Sequence, residues 1–150
     1  MKWSFKAYDE LKLSELYALL ELRVKVFVVE QNCVYQDLDG NDLKAIHLLC
    51  FQKKKLIAYS RIFGPGAFEK KHVRIGRIVT QKQSRGKDIG YQLVQKSIMF
   101  CKEHFANSTI KISAQVYLKN FYNRCGFVEK GKTYFEDGIP HCAMYFNGAQ

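Results

Sequence analysis

The stretch Arg77-Ile78-Val79-Thr80-Gln81-Lys82-Gln83-Ser84-Arg85-Gly86-Lys87-Asp88-Ile89-Gly90 joins two different kinds of patterning. Ahead of its midpoint, the β-branched run from Val73 to Thr80 predicts a buried strand. Behind it, Ile89, Leu93, Val94, Ile98, Cys101 and Phe105 recur at helical spacing. The turn between them is polar and carries Gly86 and Gly90. N–H groups at the start of a helix have no carbonyl partner, so such a turn aims several of them at one point and adds Arg85 and Lys87. The pattern predicts a seat for phosphate.

Outward from this turn, the flanking segments supply a sheet. Trp3, Phe5 and Ala7 alternate with polar neighbours as in a half-buried strand. Ser14 is placed as the cap of a helix in which Leu16, Leu19, Leu20, Arg23 and Phe27 form one stripe. From Val28 to Leu43 periodicity fades, and Glu30, Asp37, Asp39 and Asp42 crowd into what reads either as a solvated loop or as an acidic loop suited to a cationic amine. Ala45 to Phe51 and Leu56 to Phe63 are joined by Gln52-Lys53-Lys54-Lys55 and predict a hairpin. Beyond the central helix, Thr109 to Ala114 predicts a second buried strand, and the strand, helix, strand order implies a right-handed crossover with parallel neighbours. The ligand is then expected at the carboxyl ends of those two strands. Tyr117 to Cys125 predicts a short helix closed by Gly126, and Phe127 to Lys132, Thr133 to Phe135 and His141 to Phe146 predict closing strands.

Length and composition fit one α/β domain over residues 1–150, with 47% hydrophobic residues available for a core. No apolar run approaches the roughly 18 residues of a membrane span, and the N-terminal residues lack a signal peptide's patterning, which predicts a cytoplasmic protein without a membrane partner. Five cysteines are odd in number and scattered, so free buried thiols are expected rather than a disulfide frame or a metal site. The net charge of +10 raises nucleic acid as a partner. The lysines, however, are spread along the chain with only short runs at Lys53-Lys54-Lys55 and Lys70-Lys71, which suits solvated turns and a small polyanionic ligand better.

The order of elements, with Arg23, Val26-Phe27-Val28-Val29-Glu30-Gln31-Asn32-Cys33, Tyr35-Gln36-Asp37, Asp39-Gly40, Ile75-Gly76-Arg77, Ala114-Gln115, Asn120-Phe121-Tyr122, Gly126-Phe127 and Glu136-Asp137-Gly138-Ile139-Pro140-His141, resembles the GNAT superfamily of acetyl-CoA-dependent N-acetyltransferases, in its ElaA-like branch. The resemblance covers essentially the whole chain. It implies a mixed, mostly antiparallel central sheet with helices on both faces and a parallel pair at the cofactor cleft. It implies acetyl-CoA as acyl donor, with Arg85, Gly86, Lys87, Asp88, Ile89 and Gly90 in the place of the Arg/Gln-x-x-Gly-x-Gly/Ala turn that holds the CoA pyrophosphate. Asp88 departs from that pattern, bringing a carboxylate where a glycine is usual. An N-terminal cap with its side chain turned away from the ligand reconciles the two.

By the same resemblance, Ile78, Val79 and Thr80 offer backbone to the pantetheine arm, and Gln115 and Asn120 lie in the cofactor-contacting segments. Tyr122 is expected to protonate the leaving thiolate. The base has several candidates, His47, His72, His141, Glu30 and Glu136, of which His141 follows a rigid Gly-Ile-Pro turn. Glu30, Gln31, His47, Glu136 and Asp137 are expected to face the acceptor, a small-molecule or peptide amine attacking directly in a ternary complex. A homodimer is an open alternative to a single copy. Two other classes compete with the enzyme: an acyl-CoA-binding module without turnover, favoured by Asp88, and a basic nucleic-acid-binding domain, favoured by net charge alone.

Overall fold

The computed structural model describes residues 1–146. Eight strands form one sheet: β1 (Lys2–Ala7), β2 (Ile46–Gln52), β3 (Lys55–Phe63), β4 (Val73–Thr80), β5 (Ile110–Gln115), β6 (Val128–Glu129), β7 (Tyr134–Glu136) and β8 (Ile139–Phe146). Their spatial order is β1-β2-β3-β4-β5-β8-β6, with β7 also against β8. Every pairing is antiparallel except β4 with β5. The mixed, mostly antiparallel sheet with one parallel pair is thus as the sequence implies.

Helices α1 (Leu13–Arg23), α2 (Ile89–His104) and α3 (Lys119–Arg124) complete the fold. On one face, Leu19, Leu22 and Val26 pack on Leu49, Tyr59 and Val79. On the other, Ile89 and Leu93 meet Leu48, Cys50, Ile57 and Ala58, while Val94, Ile98 and Cys101 meet Ile62, Val73, Ile75, Ile110 and Ile112. All five cysteines are free and buried among such groups.

Local chemistry differs from the sequence expectation at two places. Ser14 is not the cap of α1: the cap is Lys12, whose N–H donates to Glu15 Oε1 at 2.8 Å, while the same carboxylate accepts from Lys6 Nζ. The chain also does not loosen at Val28. It continues as a π-helical segment, Val24–Glu30, before turning out through Gln31. Such wide turns inside helices favour functional positions, and this one carries Glu30 and Gln31 to the sheet's open end.

Two features of the sheet create that opening. Tyr59 faces Val79 and Arg61 faces Gly76, so three steps on β4 answer two on β3, and the bulge falls at Arg77 with φ +49°. A bulge bends its strand away from the ladder. Parallel pairing between β4 and β5 is confined to Val73–Ile110 and Arg74–Lys111. Beyond that point the two strands part, and both line a shared cleft. At the far end of α3, Gly126 holds φ +107°, and a Cβ there would meet Phe146 at 2.7 Å, so glycine ends the helix for both conformational and steric reasons.

Candidate active site

The cleft between β4 and β5 has a volume of about 790 Å³ and runs from the mouth of α2 to the π-helical segment and the β7–β8 turn. Ile78, Val79 and Thr80 form its β4 wall, and Arg85 and Gly90 its floor at the helix mouth. Gly86 adopts φ +78° with open space on its Cβ side. Asp88 occupies the position before α2 in the left-handed region, φ +59°. It stands at the cap position without a side-chain capping bond. Its carboxylate instead lies 3.3 Å from Arg124 Nη2, both side chains mostly exposed. The negative charge that looked incompatible with phosphate is therefore turned toward a cation. Lys87 is exposed and Ile89 is buried against Leu48 and Cys50, and neither lines the cleft as Arg85 and Gly90 do.

Arg85 closes over this mouth. Its Nη1 donates to Glu30 Oε2 at 2.7 Å and its Nη2 to the Thr80 carbonyl at 3.2 Å. Glu30 and Arg85 thus form an exposed pair across the cleft entrance, of the kind worth about 0–1 kcal/mol.

Tyr122, on α3, is 6% exposed and packed edge-on against Phe121 and Phe127. It lines the cleft. Burial pushes its phenol well above the ordinary tyrosine range, so the group is a neutral donor across physiological pH. Gln115 also lines the cleft, but its amide is engaged reciprocally with Gln31 at 3.2 and 3.4 Å, tying the end of β5 to the end of the π-helical segment. Asn120 is exposed on the outer side of α3 and does not line the cleft.

At the other side, His141 is 8% exposed, with Nδ1 2.7 Å from the Ile139 carbonyl. A carbonyl can only accept, so Nδ1 carries the proton and neutral His141 keeps its lone pair on Nε2. That nitrogen lies 3.6 Å from Glu136 Oε2. Glu136 accepts from Ser113 Oγ, which also bonds Tyr134. Glu136, Asp137 and His141 line the cleft together with Glu30 and Gln31.

His47 is not there. It is fully buried, with Nδ1 against the Tyr59 hydroxyl at 2.6 Å and Nε2 against the Asp42 carbonyl at 2.9 Å. Burial lowers its pKa, and with both nitrogens occupied it is a structural histidine. His72 sits just before β4 on Glu69, at 3.2 Å.

The acidic loop is tied down at Asp37 and Asp42, which are buried, while Glu30 and Asp39 stay exposed and line the cleft. Asp37 takes Arg23 Nε on one oxygen and Arg77 Nε on the other, both at 2.8 Å, and its backbone carbonyl accepts from both guanidinium groups. Asp42 bridges Arg23 and Arg61 at 2.7 and 2.9 Å, and Asp39 pairs with Arg61. Burial would raise the pKa of Asp42 and Asp39, but the facing arginines outweigh it and hold both below the usual carboxylate range. This hub pins loop 33–39 as a wall of the cleft and grips the bulged Arg77.

Sequence reading missed Arg61, Phe63, Phe68 and Arg74, all of which line the cleft. The available signal was Arg61 inside the apolar run Leu56 to Phe63, in phase with Tyr59 on the strand's α1 face.

A helix mouth, a split parallel pair and a buried phenol meet on one cleft. Residues 21–147 match the acetyltransferase (GNAT) domain family, and the chain belongs to it. It is 42% identical over 146 residues to protein ElaA of Escherichia coli K12, covering 96% of this chain and 95% of that protein. The crystal structure of Escherichia coli ElaA superposes with a TM-score of 0.91, 40% identity and 98% and 100% coverage of the two chains. An acyl-CoA N-acyltransferase from Pseudomonas aeruginosa superposes with a TM-score of 0.90 at 39% identity, covering 97% and 99%.

Proposed function

We propose that this chain, acting as one domain, is an N-acetyltransferase that moves the acetyl group of acetyl-CoA to a primary amine by direct attack in a ternary complex. The observation that carries the reading is the parting of β4 and β5 after Arg74–Lys111, which leaves the β4 backbone from Ile78 to Thr80 unpaired on one side, between the mouth of α2 and the Tyr122 phenol. The N–H and C=O groups of a strand edge suit an amide-rich arm, and the Thr80 carbonyl, held here by Arg85 Nη2, joins them when that arginine moves. The N–H groups of the turn and of the first residues of α2 suit a diphosphate, joined by Arg85 once it leaves Glu30. Each such contact is worth about 0.3–1 kcal/mol when exposed, so they must act together.

Acetyl-CoA supplies the activated thioester. Tyr122 donates its proton to the departing sulfur, and Nε2 of His141, fixed as the basic nitrogen by the Ile139 carbonyl, accepts the proton released by the amine. Glu136 beside that nitrogen stabilises the imidazolium so formed.

The test is calorimetry with acetyl-CoA, followed by a panel of primary amines monitored by thiol release. Arg85→Glu is expected to weaken acetyl-CoA binding about tenfold or more by placing a carboxylate beside the diphosphate and opposite Glu30. Unchanged binding in that variant would remove the helix mouth as the seat. Binding without thiol release on any amine would convert the enzyme to the silent acyl-CoA binder.

A further inference from the structure

At the end of the cleft away from α2, charge and burial are distributed unlike the rest of the site. Among the described residues two buried side-chain polar atoms lack a hydrogen-bond partner, Arg61 Nε and Arg74 Nε, and both residues line this end. Buried donors are nearly always satisfied, so two orphans on one wall point to an absent acceptor. The two residues are diagonal neighbours: Phe63 of β3 faces Arg74 of β4, and Arg61 faces Gly76. Arg61 lies over the Phe63 ring and Arg74 over the Phe68 ring, at 5.1 and 4.7 Å.

Their acidic partners differ in number. Arg61 is matched by Asp39 and Asp42. Arg74 shares Glu69 with Lys111, at 2.9 and 3.5 Å, and with His72, so one carboxylate faces two permanent cations. A positive charge is left over. At the opposite end Glu136 and Asp137 line the cleft beside His141, and among the described residues the one basic group within ion-pair distance of Glu136 is that imidazole, at 3.6 Å. The cleft is bipolar, with acids at the reacting end and a surplus guanidinium at the other.

We propose that the acceptor is a zwitterion, a short peptide whose α-amine lies at His141 and Glu136 and whose C-terminal carboxylate is held by Arg74 beside Arg61. Register gives its length. Lys111 marks the Arg74 end of β5 and Gln115 the His141 end, four residues or about 13 Å apart. An extended tetrapeptide spans that distance at about 3.3–3.6 Å per residue, and a tripeptide, at about 10–11 Å, closes it with a hydrogen bond of about 3 Å at one end. Phe68, exposed on its loop, swings aside to admit the carboxylate, and the orphan Nε atom gains its acceptor. The amine end rests on the acetyl-transfer reading, whereas the carboxylate end is a binding statement independent of turnover.

The experiment is calorimetry of the full chain, loaded with CoA, against triglycine and triglycine amide, with glycine and glycinamide as the short pair. Triglycine is expected to bind about 10–100-fold more tightly than its amide, the value of a hydrogen bond to a charged group. Glycine, too short to span, is expected to show no such preference. In Arg74→Gln the triglycine acid and amide bind alike. Glu69→Gln, which removes the competing carboxylate, widens the preference and serves as the check should Arg74→Gln fail to fold. Equal binding of acid and amide by the parent chain, no binding of either, or a preference that survives Arg74→Gln would overturn the proposal. A clear acid preference without thiol release from acetyl-CoA would keep the carboxylate site and sink the transfer reading. Equal turnover of acids and amides would do the reverse.

Discussion

Replacing Tyr122 by phenylalanine removes one oxygen from a site where its loss is structurally cheap. The Tyr122 hydroxyl has no protein hydrogen bond among the described residues, and the ring keeps its edge contacts with Phe121 and Phe127. Stability is therefore expected to change by less than about 0.5 kcal/mol, a shift in Tm of no more than about 2 °C, and acetyl-CoA affinity by no more than about twofold. Turnover behaves differently. An alkyl thiol has a pKa near 8.5, and burial pushes the Tyr122 phenol above its ordinary value near 10, so complete transfer of the phenol proton to the departed thiolate is uphill and gains little. The gain comes from sharing the proton as charge develops on sulfur. That places the effect at the lower end of general acid catalysis, about 10²-fold or ~2.7 kcal/mol. Single-turnover thiol release with saturating amine isolates the chemical step. A variant whose rate stays within threefold of the parent's would show that the leaving group is protonated by something else.

Three further expectations follow from the same geometry. Asp88→Gly relieves a non-glycine φ of +59° and removes a carboxylate from the helix mouth while freeing Arg124, so both Tm and acetyl-CoA affinity are expected to rise, affinity by about two- to fivefold in calorimetry. Asp37→Asn leaves Arg23 buried beside an uncharged partner and is expected to cost about 3–5 kcal/mol, read as a fall of roughly 10 °C in Tm, with weaker acetyl-CoA binding because Arg77 at the bulge is released. Against pH, two acid steps in Tm are expected. His47, held neutral by burial, has a folded pKa below its unfolded value, so stability falls as pH drops below about 6.5. Asp39 and Asp42, also depressed in the fold, cost stability as pH drops below about 4. No loss is expected from these groups as pH rises, and a Tm independent of pH between 7 and 4 would contradict the assignment.

The sheet and the central helix were legible because their signals are local. The β-branched run into β4, the helical spacing of α2 and the glycine after α3 each fix an element without reference to the rest of the chain. The parting of β4 from β5 could be anticipated only through the family resemblance, since its cause is a bulge at Arg77 that no residue pattern announces. The acidic loop shows the opposite limit. Asp37, Asp39 and Asp42 look solvated in sequence because their partners, Arg23, Arg61 and Arg77, lie on three other elements, and long-range pairing leaves no periodicity. His47 was ambiguous for the same reason: alternation placed it on the core side, and only the Tyr59 hydroxyl and the Asp42 carbonyl decide that it is satisfied there.

The arginine and aspartate hub also bears on how such a cleft diversifies. Each anchor draws on a helix, a strand or a bulge distant in the chain, and removal of any one member strands an unmatched charge in the interior. Gradual drift at Arg23, Asp37, Asp42 or Arg61 is thus blocked at its first step, while Val34 and Gln36, suspended between the anchors and outside the network, are free to vary. New acceptor preferences in descendants of this scaffold would accordingly arise by rewriting that suspended span over an inherited chassis, and a designer seeking a different amine would begin with the same few letters.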